Sequence, residues 1–240
     1  MIIERLKRPI EKNMCITKGS TPIIYFGNYE KSKACTISLN PSSREFHDKD
    51  GNILIGHKER LCSRIKLGKK DNEPLTDNDV EIVLKYCKNY FKINPYKNWF
   101  NKFDYIIKNF GYSYYNDTCV NLDLVQWATT PFWDKVDEKI KNIHLNNDLP
   151  VLEYLLKKDF EYIFLNGSTV VSNIIKHLKV NISEKDLIFE NINGNKINIK
   201  LYAGEYINIK IIGWSIYLQS PAIGGYDNID ILYNTIKKAL

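Results

Sequence analysis

The feature that most constrains the fold is a strand that is forced to stop. Ala34 to Leu39 (ACTISL) is an apolar, β-branched run, and it meets Asn40-Pro41. Pro41 has no N–H for a sheet ladder and pushes the residue before it out of the α region, so the strand must end there. A polar amide is thereby fixed at the carboxyl end of a strand composed for burial. In open α/β sheets that end is where ligands bind. Asn40 is therefore the leading candidate for a catalytic group. Two serines and a charged pair follow it (Ser42, Ser43, Arg44, Glu45), and then Phe46.

Three more apolar runs read as strands: Asp117 to Val125, Glu161 to Leu165 and Ile207 to Leu218. Helical patterns separate them at Thr76–Ile93, Tyr96–Phe110, Leu149–Lys158 and Thr169–Leu178, and Asn228–Leu240 closes the chain. This alternation predicts an α/β fold: a three-layer α/β/α sandwich around a central, mainly parallel four-stranded sheet. Lys185 to Tyr202 predicts a small antiparallel excursion, with INGNK as its turn. Pro22 to Gly27 reads as a further strand and Met1 to Asn13 as a short leading helix. The composition hardly shifts along the 240 residues, which predicts one domain with residues 1–33 as an N-terminal extension packed on it.

Hydrophobic residues make up 44% of the chain and aromatics 12%, as expected of a folded globular protein. No apolar run reaches the ~18 residues that span a bilayer, and the N-terminus lacks a signal-peptide core. The five cysteines are widely spaced, with no CxxC and no Cys/His pairing. The expectation is a reduced, cytoplasmic protein with no membrane, metal, iron–sulfur cluster or other cofactor, working as a monomer. The net charge of +6 favours polyanionic partners. Its densest basic stretch is Gly56 to Lys70, where Lys58, Arg60, Arg64, Lys66, Lys69 and Lys70 face Glu59 alone. Such a run is either a solvated surface or a set of phosphate contacts, with Arg64 and Lys66 as candidates.

If the sheet is parallel, the carboxyl ends of its strands open on one edge, and each carries a polar group: Asn40, Asn121, Asn166 and Gln219-Ser220. One amide at a strand end is most often a turn-former or a cap. Asn166, before Gly167-Ser168-Thr169, illustrates this, because Ser168 or Thr169 can cap the next helix. Four amides on one edge are harder to explain in that way. Asn and Gln offer donor and acceptor together, which suits the Watson–Crick edge of a nucleobase.

Four segments in this order resemble the uracil-DNA glycosylase superfamily: ISLNPSSREF, CVNLDLVQWATTPFW, YIFLNGSTVV and YLQSPAIGGY. The first is closest to the mismatch-specific and thymine-DNA glycosylase branch. The resemblance implies hydrolysis of the N-glycosidic bond of a uracil or 5-modified pyrimidine flipped out of DNA, leaving an abasic site. It implies that Asn40 holds the attacking water and that Asn121 reads the pyrimidine edge, Asn121 being otherwise a polar residue at a strand edge. Asp123 shares its face and either accepts from an exocyclic amine of cytosine type or caps the next turn. Ser42 falls where strict uracil enzymes carry Tyr, which leaves room beside C5. Phe46 either stacks on the base or packs in the core. Ser43, Arg44, Ser168 and Ser220 fall in the DNA-contacting segments, and Ile223 is either a wedge into the vacated stack or a loop hydrophobe. The family's His before the last Ser-Pro is replaced by Leu218, leaving Gln219 as a neutral donor to the departing base.

Repair of damaged bases and defence against phage DNA carrying modified bases fit this reading equally. Two other classes stay open. One is a non-catalytic DNA-binding member of the same fold, favoured by Leu218. The other is a hydrolase of nucleosides or nucleotides that uses the helix start after Gly167 for phosphate.

Overall fold

The structure, a computed structural model, describes residues 1–240. It is α/β, with one six-stranded mixed sheet and seven helices. Strands β1 (Ala34–Ser38), β2 (Cys119–Asp123) and β3 (Tyr162–Asn166) are short. They are followed by β4 (Asn181–Glu190), β5 (Lys196–Tyr206) and β6 (Ile209–Trp214). The order across the sheet is β2-β1-β3-β6-β5-β4. β1 pairs parallel with β3, and β3 with β6, in registers such as Thr36 opposite Phe164 and Phe164 opposite Ile212. β5 runs antiparallel to both β4 and β6.

The sheet thus has six strands where four are predicted, because the antiparallel excursion is longer than expected and hydrogen-bonds onto β6. Its turn is the expected one: Asn191 Oδ1 accepts from Asn193 N and Asn195 N, each at 3.0 Å. The next turn lies at Ile207 and Asn208, both at positive φ (47° and 65°), the backbone of a tight hairpin. β6 consequently starts at Ile209, and it stops at Trp214 rather than Leu218. The two edges of the sheet differ in burial. β1 and β2 are buried throughout, whereas β4 at the edge is mostly exposed.

The helices are α1 (Ile2–Lys7), α2 (Asp77–Lys88), α3 (Tyr90–Ile93), α4 (Lys97–Lys108), α5 (Glu138–Leu155), α6 (Ser168–Leu178) and α7 (Tyr226–Ala239). α2 starts as its sequence requires. Thr76 and Asp79 form a reciprocal capping box, with Asp79 Oδ2 accepting from Thr76 N at 2.8 Å. The predicted helix to Ile93 is broken at Asn89, whose side chain donates back to Lys85 O. α5 begins eleven residues before the predicted Leu149, capped by Asp137, and carries Pro150 inside. It is held by His144 Nε2 at 2.8 Å from Met14 O and by Asp148, contacts no local pattern announces. Pro22 to Gly27 is not a strand. Pro22 lacks a donor, and the segment makes one antiparallel bridge, Phe26 with Asn121.

The chain forms two compact units. The first comprises Met1–Glu30, Ser38–Tyr96 and Asn121–Leu156; the second comprises Lys31–Ile37, Lys97–Val120 and Lys157–Leu240. In the first, α1 packs on α2. In the second, α6 packs on β3 and β6, and α7 packs on α4 and β4. Gly213 on β6 permits the close approach of α6, since a Cβ there would sit 3.2 Å from Val171 Cγ2. No helix is long and apolar enough to cross a membrane, and no group of three His, Cys, Asp or Glu side chains is placed to hold a metal ion.

Candidate active site

In the first unit the chain leaves β1 through Leu39 and meets the segment after β2. Leu124 N donates to Ser38 O and Val125 N to Leu39 O, both at 3.0 Å. This ladder extension sets Asn40 beside Trp127 to Thr129. The Asn40 Nδ2 group is surrounded by three oxygens: Pro41 O at 3.0 Å, Trp127 O at 3.2 Å and Thr129 Oγ1 at 3.1 Å. Three acceptors around the NH2 fix which way the amide faces. Its carbonyl oxygen has no protein partner, and the residue is half-buried. The oxygen of Asn40 is thus held ready to accept one hydrogen bond.

The segment that grips Asn40 is itself anchored. Thr17 N donates to Ala128 O at 2.8 Å, and Thr129 bridges to both Ile16 and Ser42. Behind it, the Arg5 guanidinium of α1 lies 2.6 Å from Asp148 of α5 and 5.1 Å from the Trp127 ring centroid. Asp148 also accepts from Gln126 N at 2.9 Å. Arg5 and Asp148 are 3% and 0% exposed, so removing either partner leaves a buried charge uncompensated.

Next to this lies a buried polar chain. Ser38 Oγ donates to Asn121 Oδ1 at 3.0 Å, and Asn121 Nδ2 donates to Asp123 Oδ1 at 3.3 Å. Alternation along β2 puts Asn121 and Asp123 on one face, as the sequence predicts. Asp123 Oδ2 is buried without a partner. Burial pushes the Asp123 carboxyl up to about 8. Glu45 is buried too and accepts from Tyr90 Oη at 2.7 Å, and burial pushes it up to about 7. Sequence reading missed Glu45, noting it only as half of a charged pair after Asn40. It also missed Thr129 and Tyr90. The one available signal was the apolar setting of Glu45 beside Phe46.

The remaining candidates of the first unit divide. Ser42 Oγ accepts from Arg44 N at 3.1 Å and caps the short 3-10 turn Ser43–Glu45, and Arg44 Nη1 donates to Asp48 O. Ser42, Ser43 and Arg44 are all half-exposed. Phe46 is 1% exposed, a core residue rather than a stacking platform. Arg64 is a correction: it is 0% exposed, and its guanidinium donates to Ser20 O, Lys70 O, Glu73 O and Arg8 O. It ties loops together and has no free face for phosphate. Lys66 is exposed at the surface but paired with Glu59 at 2.7 Å.

In the second unit the amides after β3 and β6 meet each other. Asn166 Oδ1 accepts from Trp214 Nε1 at 2.9 Å and Leu218 N at 3.0 Å, and its Nδ2 donates to Gln219 Oε1 at 3.0 Å. Gln219 Nε2 donates to Trp99 O at 2.7 Å. Both ends of Gln219 are therefore engaged inside the protein. Gly167, not Ser168 or Thr169, stands at the N-cap of α6, with φ of +99° and no side-chain cap bond. A Cβ there would lie 2.6 Å from the Tyr217 ring. Ser168 is exposed and Ser220 half-exposed. Ile223 is a second correction: at 0% exposure it packs in the core under Asn228, whose Nδ2 donates to Ile223 O at 2.8 Å, and it is not presented as a wedge.

No protein-family model matches the chain, and no curated protein or solved structure matches it either.

Proposed function

We propose that this protein is a monofunctional DNA glycosylase with a uracil-DNA glycosylase-like fold, its β1, β2, β3 and β6 corresponding to that family's central strands. It hydrolyses the N-glycosidic bond of an extruded uracil or 5-modified pyrimidine and leaves an abasic site, without metal or cofactor. One observation carries the reading: the Asn40 amide, whose NH2 is consumed by three oxygens while its carbonyl oxygen is left open.

A neutral amide does not ionise water, but it orients one. The Asn40 oxygen accepts a hydrogen bond from a water and directs its lone pair at C1′. Departure of the base, with an oxocarbenium-like sugar, then makes most of the barrier. In this reading the half-buried Asn40 holds the water, and Asn121, buried on β2 and bonded to Ser38 and Asp123, takes the base-reading role. Ser42, in place of a bulky aromatic, leaves space beside C5, and Ser43 and Arg44, which follow it in the first unit, supply contacts to the DNA backbone.

The test is release of free base, read as alkali-labile strand cleavage, on oligonucleotides that each carry one defined pyrimidine. The wild type cleaves at a subset of them and Asn40→Ala does not. A second reading, a DNA-binding protein of this fold without chemistry, draws on Leu218, which is 0% exposed where the family has His. It is favoured if duplex binding with a steep salt dependence persists while no base is released by the wild type.

A further inference from the structure

We infer that Asp123 works as a carboxylic acid, and that its Oδ2–H reads a hydrogen-bond acceptor on the base held beside Asn121. The inference rests on the glycosylase reading and adds to it which kind of atom the pocket demands.

Three features of the geometry lead there. Asp123 is 4% exposed. Its Oδ1 already accepts the N–H of Asn121 at 3.3 Å, while Oδ2 is buried with no partner. No Lys, Arg or His lies within ion-pair distance of it. The other ionisable group that acts on it is also acidic: Glu45, 3% exposed, fastened to Tyr90 and offset by Arg60. A carboxylate in such a place lacks a counter-charge and is disfavoured further by the charge of a second carboxyl, so the protein keeps the proton instead. With Oδ1 committed as an acceptor, the proton belongs on Oδ2, and the side chain becomes a donor. Burial, with the charge on Glu45 adding to it, lifts its titration to about 8.

This reverses what the sequence suggests. An ionised Asp would accept from an exocyclic amine, whereas a neutral one seeks a lone pair. A base edge offers that lone pair either as a carbonyl oxygen of uracil type or as the unprotonated ring nitrogen of cytosine type. Both share the chemistry, and both lose the bond once Oδ2 ionises. Neutral carboxylic acids serve as buried donors in this way in other enzymes.

Two measurements test it. The first follows the Asp123 carboxyl carbon by NMR in the free, full-length protein from pH 5 to 9, with Asp123→Asn to assign the signal. A protonated carboxyl at pH 7 is expected; a carboxylate there overturns the inference whether or not the protein is a glycosylase. The second measures base release from oligonucleotides carrying uracil, thymine, cytosine or 5-hydroxymethylcytosine. For whichever base is released, wild-type kcat/KM should fall about tenfold per pH unit above about 8. Asp123→Asn, which keeps a donor at that position, should remove this alkaline limb and retain activity. Asp123→Leu should lose about tenfold or more in kcat/KM at pH 7, the worth of one buried hydrogen bond. Equal loss in the Asn and Leu variants would overturn the donor role. No release by the wild type, with the proton still seen by NMR, removes the glycosylase reading and this role with it. A carboxylate in an active enzyme removes this role alone.

Discussion

Two asparagines stand at the carboxyl ends of two sheet strands in this protein, and their side chains are used in opposite ways. Asn166, in the second unit, spends both ends of its amide within the chain: two donors on Oδ1, and Nδ2 on Gln219. Asn40, in the first, spends only its nitrogen, on three oxygens. The sequence context is almost the same, an apolar run closed by an amide and a turn residue. What differs is the remainder. An amide with nothing left over is a fastener, since each of its bonds satisfies a buried group that would otherwise be orphaned. An amide whose nitrogen is locked and whose oxygen is open is a fastened acceptor, which is what orienting a water requires.

The largest expected effect breaks the comparison on activity. Asn40→Ala should lower base release by about 100-fold or more, the usual scale for removing a group that handles the attacking water. Its melting temperature should stay near that of the wild type, because the three bonds it loses are only partly buried. Asn166→Leu should do the reverse. It strands the Trp214 indole N–H and the Leu218 N–H in the interior, at about 2–4 kcal/mol of folding stability. Chemical denaturation of the two variants side by side gives the contrast; equal destabilisation would mean that Asn40 is a fastener as well.

The strand ends were legible in the sequence because proline and β-branching act locally: Asn40-Pro41 stops β1 where expected, and Thr76 caps α2 through Asp79. The pairing of Asn121 with Asp123 followed from strand alternation alone. What was not legible came from contacts distant in the chain. Pro22–Gly27 has strand composition, yet only Phe26 finds a ladder partner. Half of α5 is held by Met14, Arg5 and Gln126, which no periodicity in that segment encodes. Arg64 read as a phosphate ligand because a basic run looks solvated in one dimension, whereas four backbone carbonyls from three stretches of the chain enclose it. Glu45 went unnoticed for the converse reason, its burial being set by Tyr90 at a distance of 45 residues in the chain.

The buried acids sharpen the contrast further, since they make the first unit sensitive to pH. Burial raises Glu45 to about 7 and Asp123 to about 8, against about 4 for both in an unfolded chain. The folded state therefore holds protons that the unfolded state has released. Their contribution is fully present below pH about 4 and is lost as pH rises through about 8. Thermal melts should show lower stability at pH 9 than at pH 6, by about 1–3 kcal/mol. Asp123→Asn should flatten part of that slope, and a melting temperature independent of pH in the wild type would deny the raised values.

The smallest effect is the most discriminating for Asn40. A carboxylate is the more powerful general base, so Asn40→Asp invites the expectation of a faster enzyme. The surroundings argue otherwise. Pro41 O and Trp127 O receive N–H groups from Asn40, and an Asp would turn a second oxygen toward them. Only Thr129 Oγ1 can change from acceptor to donor to meet it. Asn40→Asp should therefore cost about 1 kcal/mol of stability at neutral pH and regain it on acidification, as the carboxyl takes a proton and becomes a donor again. Melts at pH 4 and pH 7 measure this directly. If Asp is as stable as Asn at both, the three oxygens do not fix the amide, and the open carbonyl that distinguishes Asn40 from Asn166 loses its basis.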